Sequence, residues 1–395
     1  MKRVCGILLM MFFLIAPMRG VAAQDVIRLS WEPIIGAVLY EVVLSSDAKN
    51  ESVVWRDMCS ANGIEVDADI AGARYYRVRG IDYDHQPISD WVVSGLCAKA
   101  ERADGVPSVL FIKQSNSPVY PVYTWIPVYG ATGYEIEVAT HEMRSRYLST
   151  RDARKIYVAG GSAFDYYDDE RIGRDVDMWY RVRTLYDDGR RSAWSQSVQM
   201  TRVESAYYGA IGDSITHGGG SITHTPNEAE YAWMSYTNRK IVNLGRSGDA
   251  TKRIAERVER DTEGLGLEVL FIMGGINDLR AGEDAETVIA ELNRAVVAAK
   301  KAGMRPILLT VPPCNPRLMI ERMGYPLAPS WQAEWQKVND WIRHQADYID
   351  VGQTVTDDNG NLLASVTTDG LHPDADGKRR IGKMVQTYLD EQNMP

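Results

Sequence analysis

Ser214 stands in Gly-Asp-Ser-Ile-Thr-His-Gly-Gly-Gly, residues 212–220, at the exit of the apolar run AYYGAIG. A small hydroxyl at such a place can turn the chain, line a phosphate loop or attack a carbonyl. A phosphate loop needs a lysine, and this stretch has none. A dinucleotide fingerprint needs a glycine where Ser214 stands, and the G-x-S-x-G elbow fails at Thr216. A serine attacks only when a base takes its proton, most often an imidazole oriented by a carboxylate. The chain has six histidines. His85 and His141 belong to its β-rich first half, and His344 lies in the helical pattern WQKVNDWIRHQADY. His217 and His224 flank the glycine loop with no carboxylate in a telling arrangement. His372 differs, because in TTDGLHPDADG the carboxylate of Asp369 lies three residues ahead of it. Asp369 can accept from one ring nitrogen while the other faces a cleft. A helix cap is the competing use of these residues, but together with Ser214 they favour acyl transfer.

Acyl transfer also needs donors for the developing oxyanion. Two further turn segments supply them. NLGRSGD offers backbone amides, Gly248 being the best placed, and GGIND offers the uncharged side-chain amide of Asn277. Gly274 and Gly275 let the chain turn sharply just before that asparagine.

These segments need a frame that brings them together. After Val203, short apolar runs (AYYGAIG, KIVNLG, LEVLFIMGG, RPILLTVPP, YIDVGQTV) alternate with helical patterns such as AETVIAELNRAVVAAKKAG, which Gly303 ends. That alternation predicts a parallel sheet covered on both faces, with its ligand site at the carboxyl ends of the strands. The candidate residues all fall at or beyond those ends. The first half reads differently, as alternating strands separated by Gly, Pro, Asp and Asn. It contains a repeat: Trp31, Pro33, Gly36 and Tyr40 align with Trp125, Pro127, Gly130 and Tyr134 at an offset of 94. Tyr-Arg-Val-Arg at 76–79 and again at 180–183, followed by Trp91 and Trp194, continues it. Two copies of this length predict tandem β-sandwiches. The second copy carries an insertion around 141–175, where Tyr166 and Tyr167 are candidates for a binding face.

Lys2 and Arg3, the apolar GILLMMFFLIAP and the small residues Val21-Ala22-Ala23 read as an export signal cut near Ala23. The expected compartment is periplasmic, cell-surface or secreted. The net charge is −9, and −12 once Lys2, Arg3 and Arg19 leave with the signal. Such acidity argues against nucleic acid and anionic membrane surfaces as partners. No later segment is apolar enough for stable membrane insertion. The cysteines beyond the signal, Cys59, Cys97 and Cys314, read as buried thiols, with a Cys59–Cys97 bridge the chemically allowed alternative in an exported protein. Their spacing does not suit a structural metal site.

The repeats, with their early tryptophan, tyrosine-bearing strand and late Tyr-x-Val-Arg strand, resemble fibronectin type III modules. Residues 207–393 resemble the SGNH, or GDSL-type, hydrolases. The matching blocks are Gly212-Asp213-Ser214-Ile215, Asn243 to Gly248, Gly275-Ile276-Asn277-Asp278 and Asp369-Gly370-Leu371-His372. The resemblance implies Ser214 as nucleophile, His372 as base and Asp369 as its orienter. It implies an oxyanion hole of the Ser214 and Gly248 amides and the Asn277 side chain, with Gly245 the other glycine to weigh. No metal or organic cofactor is required. The expected architecture is a signal at 1–23, two fibronectin-like all-β sandwiches at 24–103 and 104–203, and a flavodoxin-like α/β hydrolase domain at 204–395. The expected activity is a serine esterase. In the segment PPCNPRLMIERMGYPLAPSWQ, Tyr325 and Trp331 with polar neighbours suggest binding of an O-acetylated carbohydrate. A lysophospholipase or general short-chain acyl esterase is the enzymic alternative. A glycan- or protein-binding chain with a weak or inactive hydrolase domain is the alternative of another kind.

Overall fold

A computed structural model describes residues 26–49, 51–91, 93–97, 105–109, 118–226 and 228–395. The expected export signal, residues 1–23, lies outside these residues.

Among the described residues the first unit has six strands: β1 (Val26–Ser30), β2 (Leu39–Ser45), β3 (Val53–Cys59), β4 (Gly63–Asp67), β5 (Tyr75–Ile81) and β6 (Val93–Leu96). β1 pairs with β4, and the others form a sheet of order β3-β2-β5-β6. Ile27, Leu29 and Val66 from the pair share one core with Tyr40, Val42, Leu44 and Val78 from the sheet. The second unit has β7 (Val122–Thr124), β8 (Gly133–Ala139), β9 (Arg154–Ala159), β10 (Asp165–Tyr167), β11 (Trp179–Leu185) and β12 (Val198–Gln199). It repeats the plan, with a β10-β7 pair and a sheet of order β12-β11-β8-β9.

The sequence repeat has a physical meaning in both copies. Trp31 packs edge-on to Tyr40, centroids 5.4 Å apart, and Trp125 packs on Tyr134 at 5.0 Å. Both tyrosine hydroxyls accept from a turn amide, that of Ile34 or of Val128. The paired arginines of Tyr-Arg-Val-Arg stack on the later tryptophan, Arg77 and Arg79 on Trp91, Arg181 and Arg183 on Trp194. A Cys59–Cys97 bridge is not formed, and both thiols are free. Strand register explains why. Cys59 lies opposite Tyr40, whereas Cys97 follows Leu96, which pairs through Tyr75 with Ser45 at the other end of β2. Five residues of strand span ~17 Å, well beyond the ~7 Å limit between bridged Cα atoms.

The third unit is the expected parallel sheet: β13 (Tyr208–Gly212), β14 (Ile241–Gly245), β15 (Val269–Met273), β16 (Arg305–Leu309) and β17 (Tyr348–Ile349), in the order β14-β13-β15-β16-β17. Every pair is parallel. The chain leaves β13 toward one edge and returns across it toward the other, so the strand order reverses beside β13. A single helical turn, α1 (Ser214–His217), follows β13. The later helices are α2 (Thr251–Thr262), α3 (Ile276–Ala281), α4 (Ala285–Lys301), the three-residue α5 (Pro316–Leu318), α6 (Trp331–Arg343) and α7 (Ala375–Glu391). Right-handed crossovers put α2, α4 and α6 on one face, and the 214–236 segment with α7 on the other. α4 begins where the Asp284 side chain accepts from the Thr287 amide, and Gly303 closes it in the left-handed region.

The second β unit and the α/β unit are not separately cored. Tyr120, Tyr123 and Val138 belong to the same apolar cluster as Val242, Ala255 and Phe271. Residues 118 and 119 also extend the sheet edge: Pro118 bridges Asn243 in parallel, and the Val119 amide donates to the Asn243 carbonyl at 2.8 Å.

Candidate functional site

Gly212 ends β13, where a Cβ would overlap the Met273 carbonyl of the neighbouring strand, so only glycine brings β13 so close to β15 at this point. The chain then turns into α1. Asp213, 1% exposed, is the N-cap, and its Oδ1 accepts from the Ile215 amide at 2.9 Å. Ser214 is thereby the first residue of a helical turn at the carboxyl end of the sheet, half-buried. Burial pushes the Asp213 carboxyl up to about 6. Beneath the turn lies Lys378 of α7, fully buried, whose Nζ donates to the Ile215 carbonyl at 2.6 Å. Burial pulls its ammonium down to about 7, against the opposing pull of Asp213, Asp369 and Asp374.

His372 comes from the loop before α7. Its Nε2 lies 3.0 Å from Ser214 Oγ and its Nδ1 2.7 Å from Asp369 Oδ2. A carboxylate only accepts, so the ring proton sits on Nδ1 and Nε2 is bare toward the serine hydroxyl. Asp369 is 3% exposed, and its Oδ1 accepts from the Leu371 and His372 amides, both at 2.8 Å. Burial alone would raise this carboxyl, but the facing imidazole and these hydrogen bonds outweigh it and hold the group below its usual range. The loop turns at Gly370 (φ +85°), where a side chain would collide with the Asn315–Met319 segment.

The turn after β14 carries Gly248, in the left-handed region (φ +83°) and facing open space. Gly245 is set apart by its partners. Its amide donates to Asn243 Oδ1 at 2.9 Å, and a Cβ there would overlap the His217 backbone. Of the two glycines, only Gly248 keeps an uncommitted amide among the described residues, as does Ser214. Asn277, the second residue of α3, spends one amide hydrogen on the Asp249 carbonyl at 3.0 Å, and its Oδ1 accepts from Arg280. Its amide nitrogen therefore has a fixed direction and one hydrogen to spare. The arrangement holds a hydroxyl, a base with its orienter, and neutral donors. That set suits attack on an acyl carbon.

Residues 210–380 match the GDSL-like Lipase/Acylhydrolase family. They form a GDSL-like lipase/acylhydrolase domain. Among solved structures the chain is similar to a GDSL-like lipase from Bacteroides thetaiotaomicron VPI-5482, with 18% identity over 47% of this chain and 88% of that one and a TM-score of 0.37. It is also similar to a member of the lipolytic G-D-S-L family from Veillonella parvula DSM 2008 (18% identity, 46% and 97%, TM-score 0.36). A third is the lipase/acylhydrolase from Enterococcus faecalis (18% identity, 47% and 96%, TM-score 0.35). No curated protein matches the chain.

Around this candidate site, the two aromatic residues expected to meet substrate separate. Tyr325 is 57% exposed, whereas Trp331 is 5% exposed and packs with Trp335 in the core. Trp331 therefore has no open ring face to offer. The sequence reading of His224 also needs correction. A carboxylate does attend it: Glu228, four residues on, meets Nδ1 with Oε2 at 2.6 Å, both residues being buried and His224 stacked on Tyr231. The His-x-x-x-Glu spacing was there to be read. No local motif marks Lys378, 163 residues from the Ile215 carbonyl it holds, or Arg257, 45 residues from that of Gly212. Arg257 is buried and donates to the Gly212 and Leu244 carbonyls and to Asp249, which ties together the ends of β13 and β14. Among the described residues, no helix is long and apolar enough to cross a membrane, and no group of three metal-ligating side chains is found.

Proposed function

We propose that this chain is an exported serine esterase in which Ser214, His372 and Asp369 hydrolyse carboxylic esters. The observation that carries the reading is His372, which reaches Ser214 with one nitrogen and Asp369 with the other. Ser214 Oγ attacks the ester carbonyl as His372 Nε2 takes its proton. The carbonyl oxygen becomes an oxyanion held by the Ser214 and Gly248 amides and the free Asn277 hydrogen. The intermediate collapses, and the alcohol leaves with the proton from His372. Water, deprotonated by the same nitrogen, then attacks the acyl-serine, and collapse of the second intermediate returns the proton to Ser214 and frees the acid. Asp369 stabilises the imidazolium in both halves.

The favoured substrate is an O-acetylated carbohydrate. Exposed tyrosines support it: Tyr325 beyond α5, and Tyr167 of β10, 43% exposed, whose ring lies 5.9 Å from that of His217. Tyrosines with one open face suit a sugar better than an acyl chain. We further read the N-terminal units as fibronectin type III-like modules at 24–103 and 104–203, ahead of a catalytic unit at 204–395. The shared strand plan of both copies supports that reading.

The test is initial rates on an aryl acetate for the mature protein and its Ser214→Ala form. The reading expects turnover by the wild type and a loss of about 10³-fold or more in the variant. Equal rates, or none in either, would remove it.

A further inference from the structure

We propose that the second β unit is a working part of the oxyanion hole, and that His217 is the positioning residue joining them. The inference rests on the esterase reading above.

His217 closes α1, three residues after Ser214, so the two lie on one side of the turn. It is 1% exposed and spans two partners. Its Nε2 lies 2.9 Å from the Tyr120 carbonyl, and its Nδ1 lies 2.9 Å from Ser247 Oγ. A carbonyl can only accept, so Nε2 carries the hydrogen. Nδ1 is then bare and must accept from the Ser247 hydroxyl. Burial also drives the imidazole down to about 4, so it stays neutral near pH 7 and this tautomer persists. Ser247 immediately precedes Gly248. One ring therefore fixes the distance between the nucleophile's turn and the loop that carries the Gly248 amide.

The Tyr120 end of the bridge is anchored on both sides. The Tyr120 hydroxyl donates to Asp261 Oδ2 of α2 at 2.6 Å and accepts from Arg260 at 2.6 Å. Its neighbours are tied to the second β unit, where the Ile172 amide donates to the Val119 carbonyl at 2.8 Å and the Asp168 amide to the Pro121 carbonyl at 2.9 Å. That unit grips the donor loop a second time through Asp169, whose Oδ1 accepts from Arg246 at 2.6 Å. It also lays the Tyr167 ring against His217. A spacer would need none of these contacts. Together they hold Gly248 where the oxyanion forms, and a misplacement of about 1 Å at such a site costs ~10²-fold in rate.

Three variants separate this role from general stability. Ser247→Ala truncates a half-buried side chain, removes the Nδ1 partner of buried His217 and leaves the core intact. His217→Gln keeps a donor toward Tyr120 but loses Ser247. His217→Asn keeps an acceptor toward Ser247. With an aryl acetate, Ser247→Ala and His217→Gln are expected to lower kcat by roughly 10- to 100-fold with KM nearly unchanged. Affinity for an alkylboronic acid, whose tetrahedral adduct places an oxygen in the oxyanion position, should fall in proportion. His217→Asn should retain more kcat than His217→Gln. Melting temperatures are measured alongside, and Ser247→Ala, which leaves the buried Nδ1 unpaired, should melt only a few degrees below the wild type. If Ser247→Ala and His217→Gln keep wild-type kcat and boronate affinity, the bridge does not position Gly248 and the inference fails alone. It fails as well if activity falls only in step with melting temperature. If the wild type shows no Ser214-dependent turnover, the esterase reading fails and takes this inference with it.

Discussion

Asp369 decides which nitrogen of His372 is bare, and in the proposed mechanism that nitrogen is the base for Ser214. An amide in its place presents a hydrogen to the ring and stabilises the wrong tautomer. Asp369→Asn is therefore expected to lower kcat by on the order of 10⁴-fold with little change in KM, as initial rates on an aryl acetate would show. In the proposed mechanism Asn277 acts later, when charge has reached the carbonyl oxygen. Asn277→Ala should cost about 10²- to 10³-fold in kcat, and because the side chain stands apart from the proton path, the pH–rate profile should keep its shape. At this scale the sequence was most legible where partners are close along the chain. Asp369 and His372 are three residues apart, and their hydrogen bond follows from one loop. Lys378 under α1 and Tyr120 behind His217 are 163 and 97 residues from the atoms they hold, and no spacing announces them. Trp331 shows the opposite limit, since a tryptophan at helical spacing from Trp335 reads equally well as a platform or as core, and only burial decides.

The site elements are short: one strand end, one turn of helix, and three loops on which glycines govern the approach. The glycines are not equivalent, and substitution should tell them apart. At Gly245 a methyl group meets the backbone of His217, which cannot step aside, so Gly245→Ala should cost several kcal/mol, about the scale of core overpacking or more. At Gly248 the space is open, and only the left-handed backbone is penalised, by about 1 kcal/mol. Chemical denaturation of the two variants would show the ordering, and equal losses would mean that the β14 exit is looser than the hydrogen bonds suggest. The parallel sheet itself was readable from continuous apolar strands alternating with amphipathic helices. Its role in the site was readable too, because such sheets leave their ligand positions at the strand ends. Which glycine was structural was not readable, since that depends on a strand-to-helix contact rather than on any local pattern.

Across the whole molecule, both β units touch the catalytic unit near its site. The first sends its β5–β6 turn to the segment after α5, where Asp84 pairs with Arg322 at 2.5 and 2.6 Å. It also meets the segment after α1, where the Gly36 amide donates to the Tyr231 hydroxyl at 2.8 Å. The second unit shares its core with the sheet, a docking that the repeats gave no hint of, because a repeat describes what two copies have in common and not what each packs against. Tertiary packing also places an acid at a cost. Burial pushes Asp165 of β10 up to about 6. A carboxyl whose folded pKa is raised carries no penalty below its unfolded pKa, near 4, and the full penalty above 6. Asp165→Asn is accordingly expected to raise the melting temperature at pH 7.5 and to leave it unchanged at pH 4. A gain of equal size at both pH values would assign the effect to packing instead of charge.

If Ser214 is a nucleophile activated by His372, a serine-directed covalent probe will trap it. The full chain would be incubated with a fluorophosphonate, digested, and searched for the phosphonyl adduct by mass spectrometry. The expected result is one adduct per chain, on the peptide containing Ser214, with labelling lost in Ser214→Ala and strongly slowed in His372→Ala. A folded protein that takes up no label, or takes it up on another residue at the same rate in all three forms, would contradict the account.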